Sequence, residues 1–232
     1  MSSKTFALII PWLSLSLFIA CAEDKKPGAT AGWKSLFDGK TTSGWRSFEK
    51  KSFPDHGWVA EDGCLHLKAN AKAGDIITLE KYTDYELEWD WKIAPKANNG
   101  IKYLVTEERP KAPGHEYQMV DDSTEAGAAP KHRTGSFYEV LAPEVEKSPG
   151  NPPGEWNHSR LIIQGNHVEH WLNDKKILSY ELGSPEVKAA VAKSKFKDAP
   201  NFGEKVTGHI MLTDHNGETW YRNIRIRELS AK

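Results

Sequence analysis

Apolar and polar residues alternate with a period of two along much of this chain. In Tyr85-Glu-Leu-Glu-Trp-Asp-Trp-Lys-Ile93, Leu87, Trp89, Trp91 and Ile93 share one face, and Glu86, Glu88, Asp90 and Lys92 share the other. Gly114-His-Glu-Tyr-Gln-Met-Val-Asp-Asp122 repeats the pattern. His115, Tyr117 and Met119 point one way, Glu116, Gln118 and Val120 the other. Tyr117 and Met119 suit a core, so Glu116 and Gln118 are expected on the open face. Residues 160–164 and 167–172 flank Gly165-Asn166 and read as a hairpin. Residues 209–213 and 220–228 read as a last pair of strands. Asp62-Gly63, Asn99-Gly100, Asn173-Asp174 and Asn216-Gly217 read as turns. One short helix is predicted, with Ser184 as N-cap, Pro185 in the first position and Glu186 at the positive end. Long irregular segments fall at 107–114, 123–134 and 142–154, and loops of that length commonly shape a site. Many short strands separated by turns imply an all-β sandwich built as one domain of about 200 residues.

The first residues have a different character. A short positive stretch through Lys4 is followed by an apolar run over 6–20 that ends at Cys21. The run is too short to span a membrane and has the form of a secretory signal. Phe18-Ile-Ala-Cys21 resembles a bacterial lipobox, with Phe18 where Leu is usual. That resemblance implies cleavage before Cys21 and lipid on its sulfur. The expected organisation is a signal peptide over 1–20, a lipidated Cys21 with a polar tether over 21–32, and a folded domain over 33–229. The expected location is the cell envelope, reached through the lipid anchor. Cys64 is then left without a disulfide partner, and in Gly63-Cys-Leu-His-Leu67 it reads as a small buried apolar residue.

A formal net charge of −1 provides no basic field for nucleic acid. Nine Trp is a heavy load, and exposed indoles stack on sugar rings, although most are expected in the core. There is no phosphate loop, dinucleotide fingerprint or Gly-x-Ser-x-Gly elbow. His167 and His170 are three apart, which in a strand puts them on opposite faces. No cofactor is demanded by the sequence. A divalent metal stays open, assembled from distant residues such as Asp121, Asp122 and His215.

Leu36-Phe-Asp-Gly-Lys40 with Gly44-Trp45 resembles the opening of a bacterial family of 3-keto-disaccharide hydrolases, once called a domain of unknown function. The similarity continues through Trp58-Val-Ala-Glu-Asp-Gly63, Glu116-Tyr-Gln118, Arg133-Thr-Gly-Ser136 with Tyr138, and Gly154-Glu-Trp-Asn157. It runs on through Ser194-Lys-Phe-Lys197, Gly208-His-Ile210, Asp214-His215 and Arg222-Asn-Ile-Arg-Ile226. The resemblance implies a concanavalin A-like jelly-roll sandwich of two curved antiparallel sheets. It also implies action on glycosides carrying a ketone at sugar C3, by hydrolysis or by elimination of the aglycone. Two positions depart from the family pattern. Thr213 stands where Gln is usual, with Asn216 inserted before Gly217, and Ser123-Thr-Glu-Ala126 replaces a His-Pro-Asp segment.

A C3 ketone acidifies the proton on C2, so such a site needs a base, a stabiliser for the enolate oxygen and a proton for the departing oxygen. Alternation places Lys102 with Asp90, Glu116 and Gln118 as residues able to line one surface. Glu116 or His215 is the expected base, and Lys102 or Arg133 the enolate stabiliser. Asp90, Gln118, Tyr138 and Asp214 are expected to bind substrate, with Trp171 as a sugar-stacking platform. His170 reads as a hydrogen-bonded core histidine or, less readily, as a catalytic one. The competing class is a non-catalytic carbohydrate-binding lipoprotein, since fold does not determine function.

Overall fold

A computed structural model describes residues 32–144, 146 and 149–230. Two antiparallel sheets pack face to face. The larger runs β11 (Lys175–Glu181), β10 (His167–Leu172), β9 (Asn157–Gln164), β6 (Tyr85–Ile93), β13 (Thr219–Glu228), β4 (Cys64–Leu67), β3 (Trp58–Glu61), with β1 (Trp33–Ser35) also on β13. The smaller runs β2 (Trp45–Ser47), β5 (Ile76–Thr78), β12 (His209–Leu212), β7 (Asn98–Val105), β8 (His115–Val120). This is the all-β jelly-roll sandwich expected from the sequence. The strand over 85–93 and the 160–172 hairpin form as their patterns require.

Between the sheets, Leu87, Trp89 and Trp91 of β6 and Leu161 and Ile163 of β9 meet Ile101 and Tyr103 of β7 and Tyr117 of β8, all essentially without exposure. A polar thread crosses this core. His170 Nδ1–H donates to the Gly135 carbonyl at 2.8 Å, which leaves Nε2 to accept the Tyr103 hydroxyl at 2.9 Å, and Tyr180 adds its hydroxyl to Tyr103. Burial pushes the His170 pKa down to about 4, so the ring is neutral. His170 is therefore a satisfied core histidine that ties β10 to β7. Cys64 is free and buried, as its apolar surroundings predicted.

Three expectations change. Asn99-Gly100 is mid-strand in β7, not a turn. Asn99 is fully buried, donating to the Gly217 carbonyl at 2.6 Å and accepting the His215 N–H at 2.9 Å, so its amide serves packing. The strands over 209–213 and 220–228 do not pair with each other. β12 joins β5 and β7 while β13 joins β6 and β4, because the connection between them crosses from one sheet to the other. The predicted helix forms as α2 (Pro185–Val191), with Ser184 Oγ accepting from Val187 N–H. A second, one-turn helix, α1 (Glu125–Ala128), forms inside a segment expected to be irregular. Residues 1–31, with the expected signal, the Cys21 lipidation site and nearly all of the tether, lie outside the described residues.

Candidate active site

The site is built on the outer face of the smaller sheet. Antiparallel register sets Lys102 opposite Glu116 and Gly100 opposite Gln118. Period-two alternation then points these side chains away from the core that Ile101, Tyr103 and Tyr117 fill. β8 is the last strand of its sheet, and residues 135–138 cover its outer edge. Gly135 N–H donates to Gln118 O, Gln118 N–H to Ser136 O and Tyr138 N–H to Glu116 O. That pairing brings Tyr138 to the mouth of the site. His215 arrives on the inter-sheet connection, held by its N–H bond to Asn99.

Together these residues floor a cleft of about 350 Å³, with Asn98, Lys102, Glu116, Gln118, Tyr138 and His215 in its lining. The face expected to be open is therefore roofed. Glu116 is 5% exposed and Gln118 2%, because residues 111–114 and the Lys195–Phe196 pair rise around them. Lys195 and Phe196 form part of that wall. Lys195 Nζ sits 4.2 Å from the Tyr138 ring centroid, a cation–π contact that aims an ammonium at the cleft mouth.

Charge is concentrated on one carboxylate. Lys102 Nζ lies 3.9 Å from Glu116 Oε2, and His215 Nε2 lies 3.7 Å from Glu116 Oε1. Burial by itself would raise the Glu116 pKa. The His215 ring, Lys102 and Lys195 outweigh it and hold the carboxyl below its ordinary value. Gln118 Nε2 donates to Asn98 Oδ1 at 3.0 Å, leaving one amide N–H and its carbonyl oxygen for a ligand. The backbone fits around Glu116: a Cβ on Gly100 would come within 2.4 Å of Glu116 Oε1, so only glycine admits the carboxylate there. Thr213 is fully buried, and its hydroxyl accepts the Gly100 N–H at 2.7 Å. In this chain position 213 supports the floor from behind.

The structure thus brings Lys102, Glu116, Gln118, Tyr138 and His215 together. It separates the other candidates from them. Asp90 faces outward on the larger sheet, where its carboxylate meets His158 at 2.8 Å and Asn223 at 2.7 Å. Trp171 lies on that same outer face, covered by the Arg160 guanidinium 4.0 Å from its ring. Both sit in strands of the other sheet, so alternation was right and the choice of sheet was not. Arg133 is outside the cleft lining and lies near Asp122, whose pKa burial raises in spite of the opposing Thr134 hydrogen bonds and Arg133 charge. Asp214 braces its turn, accepting the Gly74 N–H at 3.0 Å and the Asn216 N–H at 2.9 Å. Ser123 likewise bonds Asp121 Oδ1 at 2.6 Å and is not part of the lining. Glu116 and His215 offer metal-ligating atoms to the cleft. Among the described residues no group of three or more His, Cys, Asp or Glu side chains converges for a metal, the trio Asp121, Asp122 and His215 included. Asn98, Lys111, Lys195 and Phe196 were not foreseen as site residues. The signal for two of them was the Ser194-Lys-Phe-Lys197 motif, which has no chemistry of its own until the fold sets it opposite Tyr138.

Residues 32–227 match the family described as the 3-keto-alpha-glucoside-1,2-lyase-like domain. The chain belongs to this family. A 3-keto-disaccharide hydrolase of Bacteroides thetaiotaomicron is 30% identical, over 85% of this chain and 79% of that protein. A Parabacteroides distasonis protein of solved structure, described as a "putative glycosyl hydrolase", is 34% identical with a TM-score of 0.76, over 86% of this chain and 94% of that one. The Bacillus licheniformis beta-glucanase, 9% identical with a TM-score of 0.50 over 87% of this chain and all of the other, shares the fold alone. Family membership places the chain among carbohydrate-active enzymes related to glycosyl hydrolases.

Proposed function

We propose that this protein cleaves 3-keto-glycosides by removing the C2 proton and expelling the C1 substituent. The reading rests on one observation above all. A buried carboxylate, Glu116, is flanked by His215 and by two ammonium groups in a polar cleft of sugar size. Glu116 is held ionised, so it orients His215, whose Nε2 faces it, and stabilises the imidazolium that forms when the ring takes the proton from C2. The electron pair of the broken C2–H bond becomes a C2–C3 enolate, and the Lys102 ammonium balances the charge on the C3 oxygen. Return of the ketone forms the C1–C2 double bond and breaks the bond from C1 to the departing oxygen. That oxygen takes a proton from Lys195 at the cleft mouth. Asn98, Gln118 and Tyr138 hold sugar hydroxyls. Stopping at the enone makes the enzyme a lyase. Adding water across C1 and C2, with the same groups acting in reverse, makes the net reaction hydrolysis.

A retaining or inverting glycosidase needs a second carboxyl facing the first across the bond. In this cleft Glu116 is the only Asp or Glu among the lining residues, which favours elimination chemistry. The Phe18-Ile-Ala-Cys21 motif supports an envelope-anchored enzyme as part of the same proposal.

The test uses a 3-keto-glucoside in D2O. Release of the aglycone, with deuterium appearing at C2 of recovered substrate or product, is expected from the wild type. Glu116→Gln and His215→Asn are expected to slow release by roughly 10²–10⁴-fold. Saturable binding without release would make the protein a carbohydrate-binding module. Full turnover by Glu116→Gln would remove the carboxylate from the mechanism.

A further inference from the structure

A second cavity, of about 500 Å³, opens beside the first and shares Lys111, Ala112, Lys195 and Phe196 with it. The two differ in chemistry. The sugar cleft is floored by Lys102, Glu116 and Gln118, whereas the neighbour is walled by Pro110, Ala112, Phe196, Ala199 and Pro200. Charged side chains line it as well: Lys111 and Lys195 are shared with the sugar cleft, and the exposed Glu108 and Asp198 complete the lining. Arg109 belongs to the same wall and is 8% exposed. Its Nη1 donates to the Pro200 carbonyl at 2.9 Å, while Nε and Nη2 have no hydrogen-bond partner among the described residues.

Resting on the reading above, we propose that this second cavity is the leaving-group subsite and that it takes a flat aromatic aglycone in preference to a second sugar. The order of the two cavities carries the assignment. A substrate whose sugar lies over Glu116 and Gln118 must pass its C1 substituent over the shared wall of Lys195 and Phe196. Beyond that wall, proline, alanine and phenylalanine surfaces offer the hydroxyls of a sugar no hydrogen-bond partner, and only the charged side chains around them could serve it. An aromatic ring system instead buries its faces against Phe196, Pro110 and Pro200. The cavity volume is in the range of small-molecule sites. Lys195, at the junction, is where the departing phenolic oxygen would need its proton.

Two measurements test this separately from the reaction. In the first, 2-naphthol is titrated into the wild-type protein and binding is followed by NMR. Binding is expected, is expected to persist in His215→Asn, and is expected to weaken at least tenfold in Ala199→Gln, which sets a polar side chain in this cavity alone. Absence of binding, or equal binding by Ala199→Gln with an unchanged unfolding temperature, would overturn the subsite. In the second, kcat/KM is compared for 3-keto-glucosides carrying a naphthyl or a glucosyl leaving group. A preference for naphthyl of roughly tenfold or more, after correction for the intrinsic lability of each group, is expected to shrink in Ala199→Gln. A preference for glucosyl would overturn the assignment. No turnover of either substrate alongside intact naphthol binding would refute the reaction and leave an aromatic-binding cavity.

Discussion

Gly100→Ala tests the site through a residue that makes no polar side-chain contact. In a strand, alanine is ordinarily better than glycine by roughly 0.5–1 kcal/mol. Here the added methyl would stand 2.4 Å from Glu116 Oε1, 2.9 Å from Cγ and 3.0 Å from Cδ. Normal carbon contacts begin near 3.5 Å, so the carboxyl must retreat by about 1 Å. Glu116 is 5% exposed and cannot swing into water without giving up its place between Lys102 and His215. Overpacking of this kind costs about 1–3 kcal/mol of stability. A displacement near 1 Å of a positioned group costs on the order of 10²-fold in rate. Gly100→Ala is therefore expected to lower kcat/KM on a 3-keto-glucoside about 100-fold and to lower the unfolding temperature. The collision partner can be removed. In a Glu116→Ala background, Gly100→Ala should no longer destabilise, and this cycle isolates the clash from any effect on the strand itself. Wild-type turnover in Gly100→Ala, or equal destabilisation in both backgrounds, would refute the reasoning.

Acid should unfold the protein through its core histidines. Burial holds the His170 pKa at about 4 and, aided by Arg109, the His115 pKa at about 3. The unfolded chain binds these protons once pH falls below about 6.5, so stability is full above that value, declines as pH falls, and levels off below the folded values. His170 alone contributes roughly 3 kcal/mol to this decline, and a urea midpoint that stays constant from pH 7 to pH 4 would contradict it. Tyr103→Phe leaves His170 Nε2 and the Tyr180 hydroxyl without their partner and is expected to cost about 1–3 kcal/mol in urea unfolding, with a smaller loss in turnover. Trp171→Ala, on the far sheet, should leave aglycone release at the wild-type rate; a marked drop in KM-normalised turnover would bring that face into the reaction. We propose lipid attachment at Cys21, and Cys21→Ala is expected to yield protein that no longer labels with a radioactive fatty acid and no longer sediments with membranes.

The strands that form the floor were legible because burial on one side of a sheet writes itself as alternation. Glu116, Gln118 and Lys102 were found this way. Alternation does not say which of two outer faces a strand shows, and Asp90 and Trp171 obey the same period on the opposite sheet. Asn99-Gly100 misled because the pair that favours a tight turn also suits a buried strand, with a structural amide beside a residue small enough for a neighbouring carboxylate. Lys111, Lys195 and Phe196 come from irregular segments, where no period marks direction. The Asp214-His215 pair divides its work, one side chain bracing the turn and the other facing the cleft.

The strip over 135–138 that hydrogen-bonds along β8 has a bearing on solubility. Without it, the strand carrying Glu116 and Gln118 would end its sheet with a row of unpaired amides and carbonyls, the kind of edge along which separate molecules polymerise. The same bonds that set Tyr138 at the cleft mouth therefore guard against aggregation. Lesions in this strip are expected to appear first as loss of monodisperse protein, even where each surviving molecule keeps its chemistry.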